Sequence, residues 1–414
     1  VLGDDLGADS RVEVGRADDA NLGRPPTSGA VSPSPPARMQ KAEVLQPCDQ
    51  SLKFIVPDSL KRGVFVYRLT TGEGEVLGAL NVPAVWWVQG DLGAAASPGG
   101  WLRLFGKNLG WASDGGKEPA TTVLLAGRKT VHLTAKANCF AARVQLPDDL
   151  PRGSYRVFVH NGCGGPVAWS EGVEVTVAAP PSWPSTVLKV TDFGADSSGR
   201  QDSTAAISAA LARAAEAGGG VLYFPRGCYQ LTAGLTVPRF TILRGEGREL
   251  VSLFWPDLDD PPEALIQGTN SFALEDLTLY ATRHKHIIVS DLGSTADAGN
   301  VRLLRLRVRA NAYRGHLTPE EVDARFQATR RLVGGDTIRL GGDNVEVADC
   351  DFYGSGRALY FSRVRKGYVH DNTFYNGRWG WYCISGSDGL IFENNRIVGG
   401  DLMSTGGGLN CLDG

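Results

Sequence analysis

The chain has 414 residues, with 42 Lys+Arg against 45 Asp+Glu and a formal net charge of −3, a balance that gives no electrostatic case for nucleic acid or an anionic membrane as main partner. Its 53 Gly and 22 Pro stay below the ~25–30% that marks low-complexity disorder. No run of ~18 apolar residues is present to insert in a bilayer, while 42% hydrophobic residues can fill the cores of two or three domains. High glycine with few helical patterns points to a turn-rich β protein. The seven cysteines (48, 139, 163, 228, 350, 383 and 411) lie far apart with no CxxC pair, which argues against a zinc site; a disulfide joining Cys139 to Cys163 is conceivable. The chain starts at Val1 and stops at Leu412-Asp413-Gly414. Both ends read as cut, so an export signal would lie outside it.

An internal repeat opens the chain. Leu2-Gly3-Asp4-Asp5-Leu6-Gly7 matches Phe105-Gly106-Lys107-Asn108-Leu109-Gly110, and a β-type run follows each. Further on, Val56-Pro57-Asp58-Ser59-Leu60-Lys61-Arg62-Gly63 mirrors Leu146-Pro147-Asp148-Asp149-Leu150-Pro151-Arg152-Gly153, again followed by alternating strands. Period-two strands between Gly/Pro/Asp turns suit two small sandwiches. Over residues 1–178 the chain resembles IPT/TIG immunoglobulin-like domains, which implies a spacer or a weak binding module, with Trp86, Trp87 or Trp111 as glycan contacts. The expected domains are 1–82, lacking its first strand, and 83–178; residues 25–36 read as a solvated Pro-rich loop and 179–188 as a linker.

Residues 190–250 carry the strongest pattern. Asp192-Phe193-Gly194-Ala195-Asp196 precedes Asp202-Ser203-Thr204, and Ile207, Ala210, Leu211 and Ala214 then fall at helical spacing before Gly218. A buried strand and tight turn, Gly219-Gly220-Val221-Leu222-Tyr223-Phe224-Pro225-Arg226-Gly227, complete the stretch. This resembles the opening of the pectate-lyase-like superfamily, in particular its rhamnogalacturonase/epimerase-like group. The resemblance implies an all-β fold, a right-handed parallel β-helix over 189–414, with its final coils beyond the chain's end. The aspartate-rich turn reads as the cap of that stack; no cofactor is required, although a lyase would admit Ca2+, and Asp192, Asp196 and Asp202 are its candidate ligands.

Downstream the coil repeat is visible in the residues themselves. Strands ending at Leu279, Val308, Phe352, Phe374 and Ile397 align, and the last three are 22 and 23 residues apart. Two residues before each marker stand Leu277, Leu306, Cys350, Asn372 and Asn395. Asn372 and Asn395 predict an internal asparagine ladder, and Cys350 in the same column reads as a buried free thiol.

Residues beginning the next strand of each coil form the best candidate site: Asp336, Arg357, Arg378 and Asp401 as catalytic residues. Tyr353, Tyr375, Trp379 and Trp381 offer flat surfaces for sugar rings. Arginines pair with carboxylates in bidentate fashion, which suits a uronate-containing polysaccharide. Polygalacturonase coils carry N-T-D, D-D and His-Gly; only Asp336 in Gly335-Asp336-Thr337 fits, the others falling on Gly356-Arg357 and Arg378-Trp379. The arginines suit a lyase or epimerase better. His370 is an acid/base candidate, ordinary exposure being the plainer reading; Arg305, Arg307 and Arg309 alternate as either a carboxylate-binding stripe or a solvated face. Thr318-Pro319-Glu320-Glu321 predicts a helix inserted before Asp336. The expected function is cleavage of an acidic polysaccharide by hydrolysis or β-elimination, in an extracellular or cell-surface protein. A non-catalytic glycan-binding or adhesin-type β-helix is the rival.

Overall fold

The computed structural model describes residues 1–4, 6–19, 21–26, 31–111, 119–282, 284–290, 298–311, 336–354, 357–375, 382–398 and 409–412. They form two compact units, Val1–Pro180 and Pro181–Gly414. Among the described residues no helix is long and apolar enough to cross a membrane.

In the first unit, Arg11–Arg16 lies between Gln40–Lys41 and Phe65–Thr71, and the latter pairs with Gly74–Leu80. Their alternating apolar residues, Val12, Val14, Phe65 and Leu69, bury against Leu6 and Leu52. The rest of the unit is a sandwich. Its strand Val131–Ala137 pairs with Thr121–Ala126 through Val131 to Ala135, then with Ala141–Gln145 through Lys136 and Ala137. One strand thereby links the two halves of an eight-stranded sheet. The repeated Pro-Asp motif makes the same turn twice: Leu60 N–H donates to the Pro57 carbonyl at 3.0 Å and Leu150 N–H to that of Pro147 at 3.2 Å. A shared core of Val64, Val66, Cys163, Val167 and Ala168 joins the two parts. The buried Asn161 amide supports it by donating to the carbonyls of Asn81 (3.0 Å) and Asn108 (3.1 Å).

Two expectations for this unit are corrected. Cys139 and Cys163 are free thiols rather than a disulfide. Of the three tryptophans only Trp86 is exposed, at 63%. Trp87 stacks on Phe105 at 4.1 Å, and Trp111 Nε1 donates to the Asn161 carbonyl at 2.8 Å.

The second unit is a right-handed parallel β-helix with three faces. Face one runs from Val187–Lys189 through Gly220–Phe224, Thr241–Gly245, Phe272–Glu275 and Gly299–Leu304 to Ile391–Glu393. Face two is an eight-stranded sheet from Ser198–Asp202 to Arg396–Val398. Face three carries Leu235–Thr236, Ala264–Gln267, His286–Val289, Arg357–Arg365, Tyr382–Ser385 and Leu409–Leu412. The long strand Asp336–Ala348 belongs to both faces three and one, pairing with His286–Val289 at its start and Gly299–Leu304 at its end.

Register turns the alternating pattern into buried columns. On face two Tyr229, Leu253, Leu279, Val308, Phe352 and Phe374 stack in one buried line, which the exposed Ile397 continues in register. Each Leu or Phe so buried contributes about 1.5–3 kcal/mol. Between faces one and two the chain turns through a single left-handed residue: Asp276, Arg305, Asp349, Asp371 and Asn394, with φ between 53° and 57°. Asn and Asp tolerate that region best among non-glycine residues, which explains their recurrence there. The ladder column follows directly. Asn372 Oδ1 accepts from Cys350 N–H at 2.9 Å, its Nδ2 donates to the Val347 carbonyl at 2.9 Å, and Asn395 repeats the pattern one coil on. Cys350 Sγ accepts from Leu306 N–H at 3.3 Å, and burial pushes this thiol up to about 12. It is a structural group and not a nucleophile.

The helix Thr204–Glu216 packs Ile207, Ala210, Leu211 and Ala214 over the first coil. It stops where Gly218, at φ 76°, lets its own N–H reach the Ala215 carbonyl and Gly219 N–H the Ala214 carbonyl. The aspartates of the opening turn serve this cap. Asp196 accepts from the N–H groups of Ser198, Arg200 and Gln201, which hold its carboxyl down at about 2, and Asp202 accepts from Thr204 and Thr232. Both carboxylates thus serve the turn itself. Among the described residues no group of three acidic, His or Cys side chains could hold a metal.

Candidate functional site

Of the sequence-predicted residues, Asp336, Arg357, Tyr353 and Tyr375 lie on strands that meet at one corner, where face two hands over to face three. Strands of face two end there at Thr282, Asn311, Gly354 and Tyr375, and strands of face three begin at His286, Asp336, Arg357 and Tyr382. Asp336 and Arg357 are direct register partners on adjacent strands, about 4.8 Å apart in the pairing direction. They stand two residues ahead of the buried partners Ile338 and Leu359. Tyr353 and Tyr375 are likewise register partners, with ring centroids 6.0 Å apart and planes tilted by 52°. Only 355–356 separate the end of the Tyr353 strand at Gly354 from Arg357, so both pairs flank the same corner. Arg378, Trp379, Trp381, Asp401 and the helix expected from Thr318 lie outside the described residues.

A histidine missed in the sequence lies beside this corner. His284 is 3% exposed, and among the described residues its Nδ1 has no hydrogen-bond partner. Burial, reinforced by His286, pulls it down to about 4, so it is neutral at ordinary pH. The signal for it was the pair of histidines around Lys285 just before an apolar strand.

The outer surface of face two carries two columns of different character. In the first, Thr278, Arg307, Asp351 and Thr373 are register partners. Here Arg307 grips both carboxylate oxygens of Glu249, at 2.6 and 2.5 Å, with Asp351 at 3.7 Å. This pairing lowers the Glu249 carboxyl, and the same hydrogen bonds raise Arg307. In the second column Phe254, Tyr280, Arg309, Tyr353 and Tyr375 are successive partners. Tyr280, Tyr353 and Tyr375 are 44%, 52% and 43% exposed. Tyr280 was legible in the sequence, since each member directly follows a buried marker (Leu253, Leu279, Val308, Phe352 or Phe374).

The arginine stripe therefore divides. Arg305 is a turn residue locked to Asp276 through two hydrogen bonds of 2.7 and 2.8 Å. Arg307 is saturated by Glu249. Arg309 forms no salt bridge among the described residues; its guanidinium lies over the Tyr353 ring at 5.4 Å.

His370 stands elsewhere, on face one between Ala348 and Glu393. Its Nδ1 meets Asp371 at 2.7 Å and its Nε2 meets Glu346 at 3.3 Å, while the ring stacks on Tyr368 at 3.8 Å. Burial pulls its titration down, but the two carboxylates outweigh that and the net shift is upward.

Comparison with known proteins adds a family likeness at the start of the β-helix. Residues 187–255 match the family described as Rhamnogalacturonase A/epimerase, pectate lyase-like. Alpha-1,3-galactosidase A of Peterkaempfera griseoplana is 57% identical over 47 residues, which is 11% of this chain and 6% of that protein. Mannuronan C5-epimerase AlgE5 of Azotobacter vinelandii is 35% identical over 231 residues, 51% of this chain and 21% of that protein. Among solved structures, the A-module of A. vinelandii mannuronan C-5 epimerase AlgE6 is similar at a TM-score of 0.42 and 21% identity, covering 51% of this chain and 56% of that one. The chain thus spans 6% and 21% of the lengths of those two curated relatives. The pectate-lyase-like match covers the cap, the helix and the first coils, and it ends at Trp255, ahead of the Asp336–Arg357 corner.

Proposed function

We propose that this protein is carbohydrate-active and acts on an acidic, uronate-containing polysaccharide at the corner between faces two and three. The observation that carries the reading is the Asp336–Arg357 register pair, set beside two solvent-facing tyrosines that are themselves register partners. A base and a guanidinium on neighbouring strands match what proton abstraction beside a carboxylate requires. The base takes the proton at the sugar carbon bearing the carboxylate, and the guanidinium stabilises the enolate-like charge that develops. Expulsion of the neighbouring glycosidic oxygen then cleaves the chain by β-elimination, whereas reprotonation from the other side would epimerise it. In this assignment Asp336 is the base, Arg357 and Arg378 hold the carboxylate, and Asp401 supplies the proton to the leaving oxygen. Hydrolysis would instead pair Asp336 with Asp401 as two carboxyl groups about 5–9.5 Å apart. A second reading, glycan binding without chemistry, is favoured by the exposure of Tyr353 and Tyr375.

Incubation with polygalacturonate and with mannuronan separates these outcomes. New reducing ends with unsaturated, ultraviolet-absorbing products mean elimination, and reducing ends alone mean hydrolysis. Altered uronate composition without either means epimerisation, and retained binding with no product means an adhesin. Asp336→Asn and Arg357→Ala should each lower product formation by about 10²–10⁴-fold. Undiminished activity in both variants rules out this corner.

A further inference from the structure

We propose that the second outer column of face two is a glycan-docking ladder that reads uronate, extending the contact with substrate along the β-helix axis away from the corner. This rests on the acidic-glycan reading above. Its members are Phe254, Tyr280, Arg309, Tyr353 and Tyr375, each the direct register partner of the next. Four steps of about 4.8 Å carry the column over roughly 19 Å, and each step is close to the rise of one residue in an extended glycan chain.

Three properties separate this column from ordinary surface packing. Its three tyrosines keep 43–52% of their surface in solvent although they stand in line, and contiguous exposed aromatic surface of this kind marks a contact site. Aromatic faces accept the C–H faces of sugar rings as they accept other flat or positively polarised groups. The charge is also matched to one ligand class. The arginines next to it are engaged: Arg305 with Asp276, Arg307 with Glu249 and Asp351, and Arg248 with the Asp349 carbonyl at 2.7 Å. Arg309, exposed and flanked in register by Tyr280 and Tyr353, forms no ion pair among the described residues. A guanidinium lying over one ring, 5.4 Å from its centroid, carries N–H donors suited to bidentate pairing with a carboxylate. In the neighbouring column, Thr278, Arg307, Asp351 and Thr373, the arginine is paired with Glu249 and Asp351 and no aromatic ring stands beside it in that column.

The test uses the whole chain carrying Asp336→Asn, so that the probe is not consumed, titrated calorimetrically with hexagalacturonate, hexamannuronate and the neutral cellohexaose. Arg309→Gln should weaken binding of at least one uronate probe by about 10–100-fold, the range for a hydrogen bond to a charged group, and leave any cellohexaose binding unchanged. Tyr280→Ala, Tyr353→Ala and Tyr375→Ala should each weaken binding by about 2–10-fold. Circular dichroism and melting curves matching the parent establish that each variant is folded. The ladder is refuted if folded Arg309→Gln and the triple tyrosine variant bind the uronate probes as the parent does, or if the parent binds none of them. Self-association of the parent that the tyrosine variants abolish in sedimentation would assign the ladder to a second copy of the chain and overturn the glycan assignment. The two proposals fail separately. Unchanged uronate affinity in the ladder variants, alongside loss of product in Asp336→Asn, refutes the ladder alone, whereas a chain that neither converts nor binds uronate polymers refutes both.

Discussion

Replacing Asn372 by alanine removes three hydrogen bonds from a side chain that is 1% exposed. Cys350 N–H loses its acceptor, the Val347 carbonyl loses its donor, and Asn395 Oδ1 loses the Asn372 amide, each contact being 2.9 Å in the native protein. The Val347 carbonyl keeps its place in the parallel ladder, so one backbone group, the Cys350 N–H, is then stranded where water does not reach, at about 1–3 kcal/mol. The expected loss is therefore about 1–3 kcal/mol, sizeable beside the ~5–15 kcal/mol that holds a typical domain together. Asn372→Leu, which imitates Leu306 at the same register, refills the space but not the hydrogen bonds, and should recover only a minor part. The two compact units need not unfold together, so urea unfolding of the whole chain should be read with hydrogen exchange of the peptide containing Cys350. Its amide should exchange faster in both variants. If Asn372→Ala shifts stability by less than about 0.5 kcal/mol and Cys350 N–H stays protected, the asparagines do not hold this corner and leucine packing is sufficient.

Two further predictions concern titrating groups. His370 has a folded-state value raised by Glu346 and Asp371 against the downward pull of burial, so its contribution is fully present below the unfolded value near 6.5 and is lost as pH rises through the folded one. His370→Gln should flatten the fall of melting temperature over that interval; parallel profiles for parent and variant would show that the ion pairs contribute nothing. The thiols should separate by reactivity. Cys48, exposed and lowered by its hydrogen bond from Ser51, alkylates with iodoacetamide in the native protein, whereas Cys350 reacts only after denaturation. Peptide mass spectrometry reads both, and modification of native Cys350 would refute its burial in the ladder column.

What was legible in the sequence was whatever repeats at one register. The markers from Leu279 to Phe374 and the column from Leu277 to Asn395 follow from coil length and alternation, because stacking brings chemically equivalent positions together whatever lies between them. Partners supplied from other coils left no local trace. Glu249, which ties up Arg307, is 58 residues away from it, and three alternating arginines looked equivalent until those partners were placed. Backbone irregularity hid the rest: the bulge between Val85 and Trp87 interrupts alternation, so that Trp86 faces solvent while its neighbour stacks on Phe105. The candidate site mixes both cases. Tyr353 and Tyr375 share a register because each follows a repeat marker, and Arg309 is set apart from Arg305 and Arg307 only once those are seen to be engaged by Asp276 and Glu249. On a surface made by stacking, the proposed ligand-binding charge is the one that shares a register column with exposed aromatic rings, and Arg309→Gln tests that criterion directly.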